Sequence, residues 1–118
     1  MLRLFIIASI TLWLMSLPST TFAAGAVTSA KVTKVRVDDN GKVMVFFDKT
    51  ISGTPPSCVH ANYTKAYAFD SSTAAGKSVL SLVLMAKTTK DLIDAFGMGV
   101  CGVYGGSLVE TWSYGQVK

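Results

Sequence analysis

Three groupings in this chain have the residue types and spacing that chemistry needs. Residues 97–102 read GMGVCG, the Gly-x-Gly-x-x-Gly spacing of loops that cradle a dinucleotide pyrophosphate. Cys58 and the single histidine, His60, lie two residues apart in CVHANY, which suits a thiolate with its base or a pair of metal ligands. Asp38 adjoins Asp39, and Asp91 and Asp94 would share a face on a helix, as carboxylates paired for acid–base work do.

Each grouping weakens once its context is read. A pyrophosphate loop follows a strand and opens a helix, with an acidic residue about 20 positions on. Here VYGGSLVETWSYG follows, which cannot start a useful helix, and the chain is too short for that fold. The glycines are expected to make tight turns, or bulges that bring Cys101 toward Cys58. His60 reads as a loop residue, and Asp38 and Asp39 sit at a turn, where aspartate is common. Asp91 and Asp94 have no evident partner, and no serine has a nucleophile-elbow context. The expectation is a non-enzymatic protein without metal or cofactor.

The aromatic residues are the better candidates for recognition. Tyr63, Tyr67, Tyr104, Trp112 and Tyr114 fall near loops or on alternating segments. Exposed, such rings stack on sugars or anchor a protein partner; buried, they form the core of a small β domain. Tyr63, Tyr104 and Trp112 are the ligand-binding candidates, with core packing the competing reading for Trp112. Asn62 in NYT matches a glycosylation sequon.

The elements that must position these residues depend on compartment. Arg3, the apolar run LFIIASITLWLMSL, Pro18 and the small residues STTFAAGA describe a secretory signal peptide over residues 1–23, with cleavage after Ala23. The run is too short for a membrane span of about 20 residues, so no stable span is expected after cleavage. Removing 23 of the 118 residues leaves 95, a single domain over residues 24–118. In an exported chain whose only cysteines are Cys58 and Cys101, a disulfide between them is the default. Without Arg3, ten basic and seven acidic residues remain, a net charge of +3. The basic residues are scattered, which argues against a nucleic-acid surface.

Within that domain AGAVTSA reads as a flexible start. KVTKVRV and KVMVFFD, joined through Asn40-Gly41, predict a hairpin of strands at 31–37 and 42–48. TKAYAFD predicts a third strand at 64–69. SSTAAGKSVLSLVLMAK changes to helical spacing and predicts a helix at 73–87, with Ser71 or Ser72 as N-cap and Leu82 and Met85 widening its buried face. KDLIDAF and VETWSYGQV predict the last two strands. The expected class is mainly β with one helix: an OB-like five-stranded barrel with its helix between strands 3 and 4, stapled by Cys58–Cys101.

FDSSTAAGK at 69–77, MAK at 85–87, GMGVC at 97–101 and ETWSY at 110–114 together resemble a family of small exported bacterial proteins of unknown function. More distantly the chain resembles the pentameric B subunits of subtilase-type and typhoid-type toxins, which share a Cys, a central helix and a second Cys on the following strand. That resemblance implies an OB-type barrel, homo-oligomerisation and glycan binding, but it transfers no sugar-binding residue to this sequence. The functional expectation is an exported binding module for a glycan or protein partner. Its alternative is a periplasmic inhibitor or immunity-type protein that binds an enzyme.

Overall fold

The computed structural model describes residues 24–105 and 108–118; the expected signal peptide lies outside these residues. Seven strands and one helix follow in order: β1 Gly25–Ala30, β2 Val32–Val37, β3 Lys42–Phe47, β4 Ser52–Gly53, β5 Ala66–Asp70, α1 Ala74–Thr89, β6 Ile93–Gly97 and β7 Glu110–Val117. A short 3₁₀ turn, Ala61–Tyr63, lies between β4 and β5. The strands form one sheet in the order β2-β3-β5-β7-β6-β1-β4. Every ladder is antiparallel except β5 with β7, which run parallel because α1 and β6 intervene as a crossover.

The domain is therefore mainly β with one helix, but it is not the expected OB-like five-stranded barrel. The run expected as one strand at 31–37 is preceded by a further strand, β1, and the two pair with different neighbours. Only Lys31 separates them, yet β2 pairs with β3 and β1 with β6. The sheet must curl to allow this, but among the described residues no ladder joins its terminal strands, β2 and β4. The corner has a local cause. Ser29 takes a left-handed φ of 48°, and the β1–β6 register shifts between Val27 and Ala30. Asp94 holds the bulge: its Oδ1 accepts from Ser29 N at 2.8 Å, while Gln116 Nε2 donates to Oδ2 at 3.2 Å and Lys118 Nζ lies 3.4 Å away. Asp91 stays exposed in the α1–β6 link, so the two acids share no helical face.

Alternation places the core. Val43, Val45 and Phe47 of β3 and Tyr67 and Phe69 of β5 face inward with Val27, Ile93, Ala95 and Trp112. The helix closes this core through Val83 and Ala86, with Val79, Leu80 and Leu82 partly buried, whereas Met85 is about half exposed. Its N-cap is Thr73, not Ser71 or Ser72: Thr73 Oγ1 accepts from Gly76 N at 2.9 Å. Lys90 ends the helix in the left-handed conformation, φ 61°.

The opposite face of β3 and β5 is also covered. Met44, Ala66 and Ala68 form a second cluster with Val109, and Phe46, Tyr63, Val103, Tyr104 and Leu108 pack against it. This explains why VMVFF at 43–47 is apolar throughout instead of alternating. The segments flanking this cluster are tied together twice. Cys58 and Cys101 form a disulfide with Cα atoms 6.2 Å apart, and His60 N donates to Leu108 O at 2.8 Å.

Two outcomes follow for stability. Reducing the disulfide, or Cys58→Ala with Cys101→Ala, should cost about 4 kcal/mol for a loop of this size, read as a lower urea midpoint. The Asp94 carboxyl is held below its ordinary pKa, first by the Ser29 amide and then by Gln116 and Lys118. Its contribution is present above the unfolded-state pKa and is lost as pH falls through the lower folded value. Asp94→Asn should lower the melting temperature at pH 7 and flatten its decline below pH about 5; an unchanged acid limb would remove Asp94 from this role.

Candidate functional site

The buried carboxylate of Glu110 organises the region where the cysteine loops meet β1. Glu110 opens β7 opposite Tyr67 of β5 and is 1% exposed. Gly25 N donates to both of its oxygens, at 3.2 and 3.0 Å, and Gly99 N donates to Oε2 at 3.0 Å. Two glycines of the GMGVCG motif therefore have a definite task, and it is not phosphate binding. A Cβ on Gly97 would collide with the Glu110 carboxylate and lie 2.8 Å from Tyr67 Cε1. Gly99 has φ 76°, a conformation open to glycine that aims its amide at the carboxylate. Gly25 approaches as closely, since its Cβ would strike Glu110 Oε1 and Ile51.

Tyr67 completes the buried group. Its ring packs edge-on against Phe47 and Trp112, and its hydroxyl has no hydrogen-bond partner among the described residues. Burial, followed by the neighbouring Glu110 charge, drives the phenol pKa well upward.

Glu110 also lines a cavity of about 210 Å³. Its walls include Ile51, Pro55, Pro56, Val59, Tyr63 and Ala66, with hydroxyls from Thr50, Ser57 and Thr64. The 52–64 loop supplies most of them, and Cys58 in that loop is fixed by Cys101. The cavity is smaller than the roughly 300–1,000 Å³ of drug-sized ligand pockets. It has room for a single side chain or sugar ring.

The three aromatic candidates separate. Tyr63 lines the cavity from the 3₁₀ turn, half-buried, with its ring 6.4 Å from Phe46 and 6.1 Å from His60. Tyr104 packs on the same outer cluster but is committed to structure, because its hydroxyl donates to Asp38 Oδ2. Burial, and then that bond, push its pKa upward. Asp38 also accepts from Arg36 Nε at 2.9 Å; the Tyr104 and Arg36 bonds, in that order, keep its carboxyl below the ordinary value. Trp112 is 6% exposed and lies edge-on to Tyr67 and Phe69, at 6.2 and 6.3 Å. Inward alternation on β7 puts this ring in the core, on the opposite side of the sheet from the cluster that carries Tyr63 and Tyr104. His60 caps the 3₁₀ turn, accepting from Asn62 N at its Nδ1 at 3.1 Å, and Asn62 is exposed.

Sequence reasoning missed Glu110. Its signal was an acid opening a predicted strand two residues before Trp112, with glycines at 25, 97 and 99 that had no turn to explain them all. The chain matches no family model, no curated protein and no solved structure, and nothing in these comparisons links it to toxin B subunits.

Crowding around the carboxylate sets a contrast between two glycines. Gly97→Ala should destabilise by about 1–3 kcal/mol, the usual cost of overpacking. At Gly102 a Cβ would meet only Thr111 Oγ1, at 3.8 Å. Gly102→Ala should therefore stay within about 0.5 kcal/mol of the parent. Urea denaturation of the two variants checks this; equal effects would contradict the placement of Glu110.

Proposed function

We propose that this chain is an exported, non-enzymatic binding module whose partner is a protein, engaged through the cavity beneath Pro55, Pro56 and Tyr63. One observation carries the reading: a disulfide-pinned loop holds a cavity of side-chain size, with a half-buried tyrosine in its lining. The walls are largely apolar, and Glu110 already receives three backbone hydrogen bonds, which suits an uncharged side chain better than a reacting substrate. An anchor residue entering a preformed pocket is the usual energetic centre of a protein interface. An enzyme held by an inhibitor is one partner of this kind. A pyranose ring would also fit the volume, and Thr50, Ser57 and Thr64 would offer it hydroxyls, but most of the exposed lining is apolar.

A photo-crosslinking amino acid at position 63 tests the reading against one at Met85, on the outer face of α1. Protein adducts at 63 and none at 85 are expected from cells exporting the chain. Tyr63→Ala should then weaken the recovered partner about tenfold, as loss of an anchoring aromatic does. Equal adducts at both positions, or none at either, would count against the cavity. Binding to a glycan array that Tyr63→Ala abolishes would replace the protein partner with a sugar. Native mass by light scattering belongs to the same experiment, because a ring of copies would repeat the cavity around an axis.

A further inference from the structure

Glu110 is a buried carboxylate with no cation paired to it among the described residues. The ion pairs among the described residues are Arg36 with Asp38 and Lys118 with Asp94, and neither touches it. No Lys, Arg or His lines its cavity; the other ionisable group there is Tyr63. Beside it lies the unpartnered hydroxyl of Tyr67, and a Cβ placed on Gly25 would sit 3.2 Å from that oxygen. A charge and an orphaned polar atom, both buried, meet at the second residue of the chain that cleavage after Ala23 would leave. Burying an unpaired charge is costly, and a cation within about 4–6 Å offsets much of that cost.

We propose that the α-ammonium group of Ala24, created by removal of residues 1–23, is the counter-charge of Glu110. The step is a hydrolysis by a signal-processing peptidase. One water is consumed, the Ala23–Ala24 peptide bond breaks, Ala23 keeps a carboxylate, and the freed Ala24 nitrogen is protonated at neutral pH. The backbone is already in place. Ala24 O accepts from Thr54 N at 3.1 Å, and the next nitrogen, Gly25 N, is 3.0 Å from Glu110 Oε2. Consecutive backbone nitrogens lie within about 3.6 Å of each other, so the ammonium is no more than about 7 Å from the carboxylate. Rotation about the Ala24 Cα–C bond moves the ammonium without disturbing either hydrogen bond, since both lie on the following peptide plane. Its three donors can serve Glu110 and the Tyr67 oxygen together. The uncleaved chain has a neutral amide at that nitrogen, so maturation itself adds the charge that closes the fold.

The inference rests on cleavage after Ala23, so the mass of the exported product is the first measurement; a chain starting elsewhere overturns it. Three oxidised forms are then compared: the mature chain, the same chain with Gly added before Ala24, and the mature chain acetylated at its amine. The groups facing the amine are Glu110 on β7 and Tyr67 on β5, with Tyr63 across the cavity. An amine paired with Glu110 has a folded pKa above the ordinary value of about 7.7–8.0. The stabilisation is therefore full below that value and fades as pH rises through the folded pKa. The mature form should melt several degrees above the other two at pH 6, with the gap closing above pH about 10, and Glu110→Gln should abolish the gap. Coincident melting of the three forms, or a gap that survives Glu110→Gln, overturns the proposal. If Glu110→Gln does not fold, amine acylation at pH 7 decides. The native mature chain should react about tenfold more slowly than the urea-unfolded chain, the effect of one pKa unit; equal rates overturn it.

Discussion

A carboxylate taken out of water must be solvated by the protein, and at Glu110 that requirement fixes three separated parts of the chain. The amides that hold it come from Gly25 at the start of β1 and Gly99 after β6, while Glu110 itself begins β7. None of these segments can move without leaving a buried charge bare, which costs far more than any single contact nearby. Side chains are excluded from positions 25 and 97 for the same reason. Two of the three glycines that look like a phosphate loop, Gly97 and Gly99, make room for and bind this carboxylate.

Around that point the sheet is covered on both faces in the β3–β5 region. One face rests on the core and α1. The other carries Met44, Ala66 and Ala68 under a second layer built from Tyr63, Tyr104 and the segment closed by Cys101. The disulfide, the His60–Leu108 backbone bond and the Tyr104–Asp38 bond tie that layer down, and Thr111 of β7 bonds the Cys101 segment through Val100 O and Gly102 N. The cavity is thus bounded by a rigid sheet on one side and a covalently clamped loop on the other, an arrangement that preserves its shape when empty.

Local pattern made much of this legible. The Asn40-Gly41 hairpin, the third strand, the helix and the last two strands lie within a few residues of their expected positions, because each has its own period or turn chemistry. β1 was not legible. AGAVTSA is small and weakly patterned, and it becomes a strand by pairing with β6 and by the anchoring of Gly25 on Glu110, both distant in sequence. The same non-local pairing turned an expected OB-like five-stranded barrel into an open sheet of seven strands. Candidate site residues were mixed for a related reason. Tyr63, Tyr104 and Trp112 look alike as aromatics near loops, but strand alternation sends Trp112 inward and a hydrogen bond engages Tyr104, neither of which composition can show.

The connection between Gly25 and Glu110 spans 85 positions, and β1 has as its main neighbour a strand made after the helix. During synthesis the first strand can therefore make its short pairing with β4 early, but not its main ladder or its anchor until most of the chain exists. Contacts of such long range also slow folding, since the loop must close before they reward it. A polypeptide wired in this order can complete its fold only once its last strand has been made.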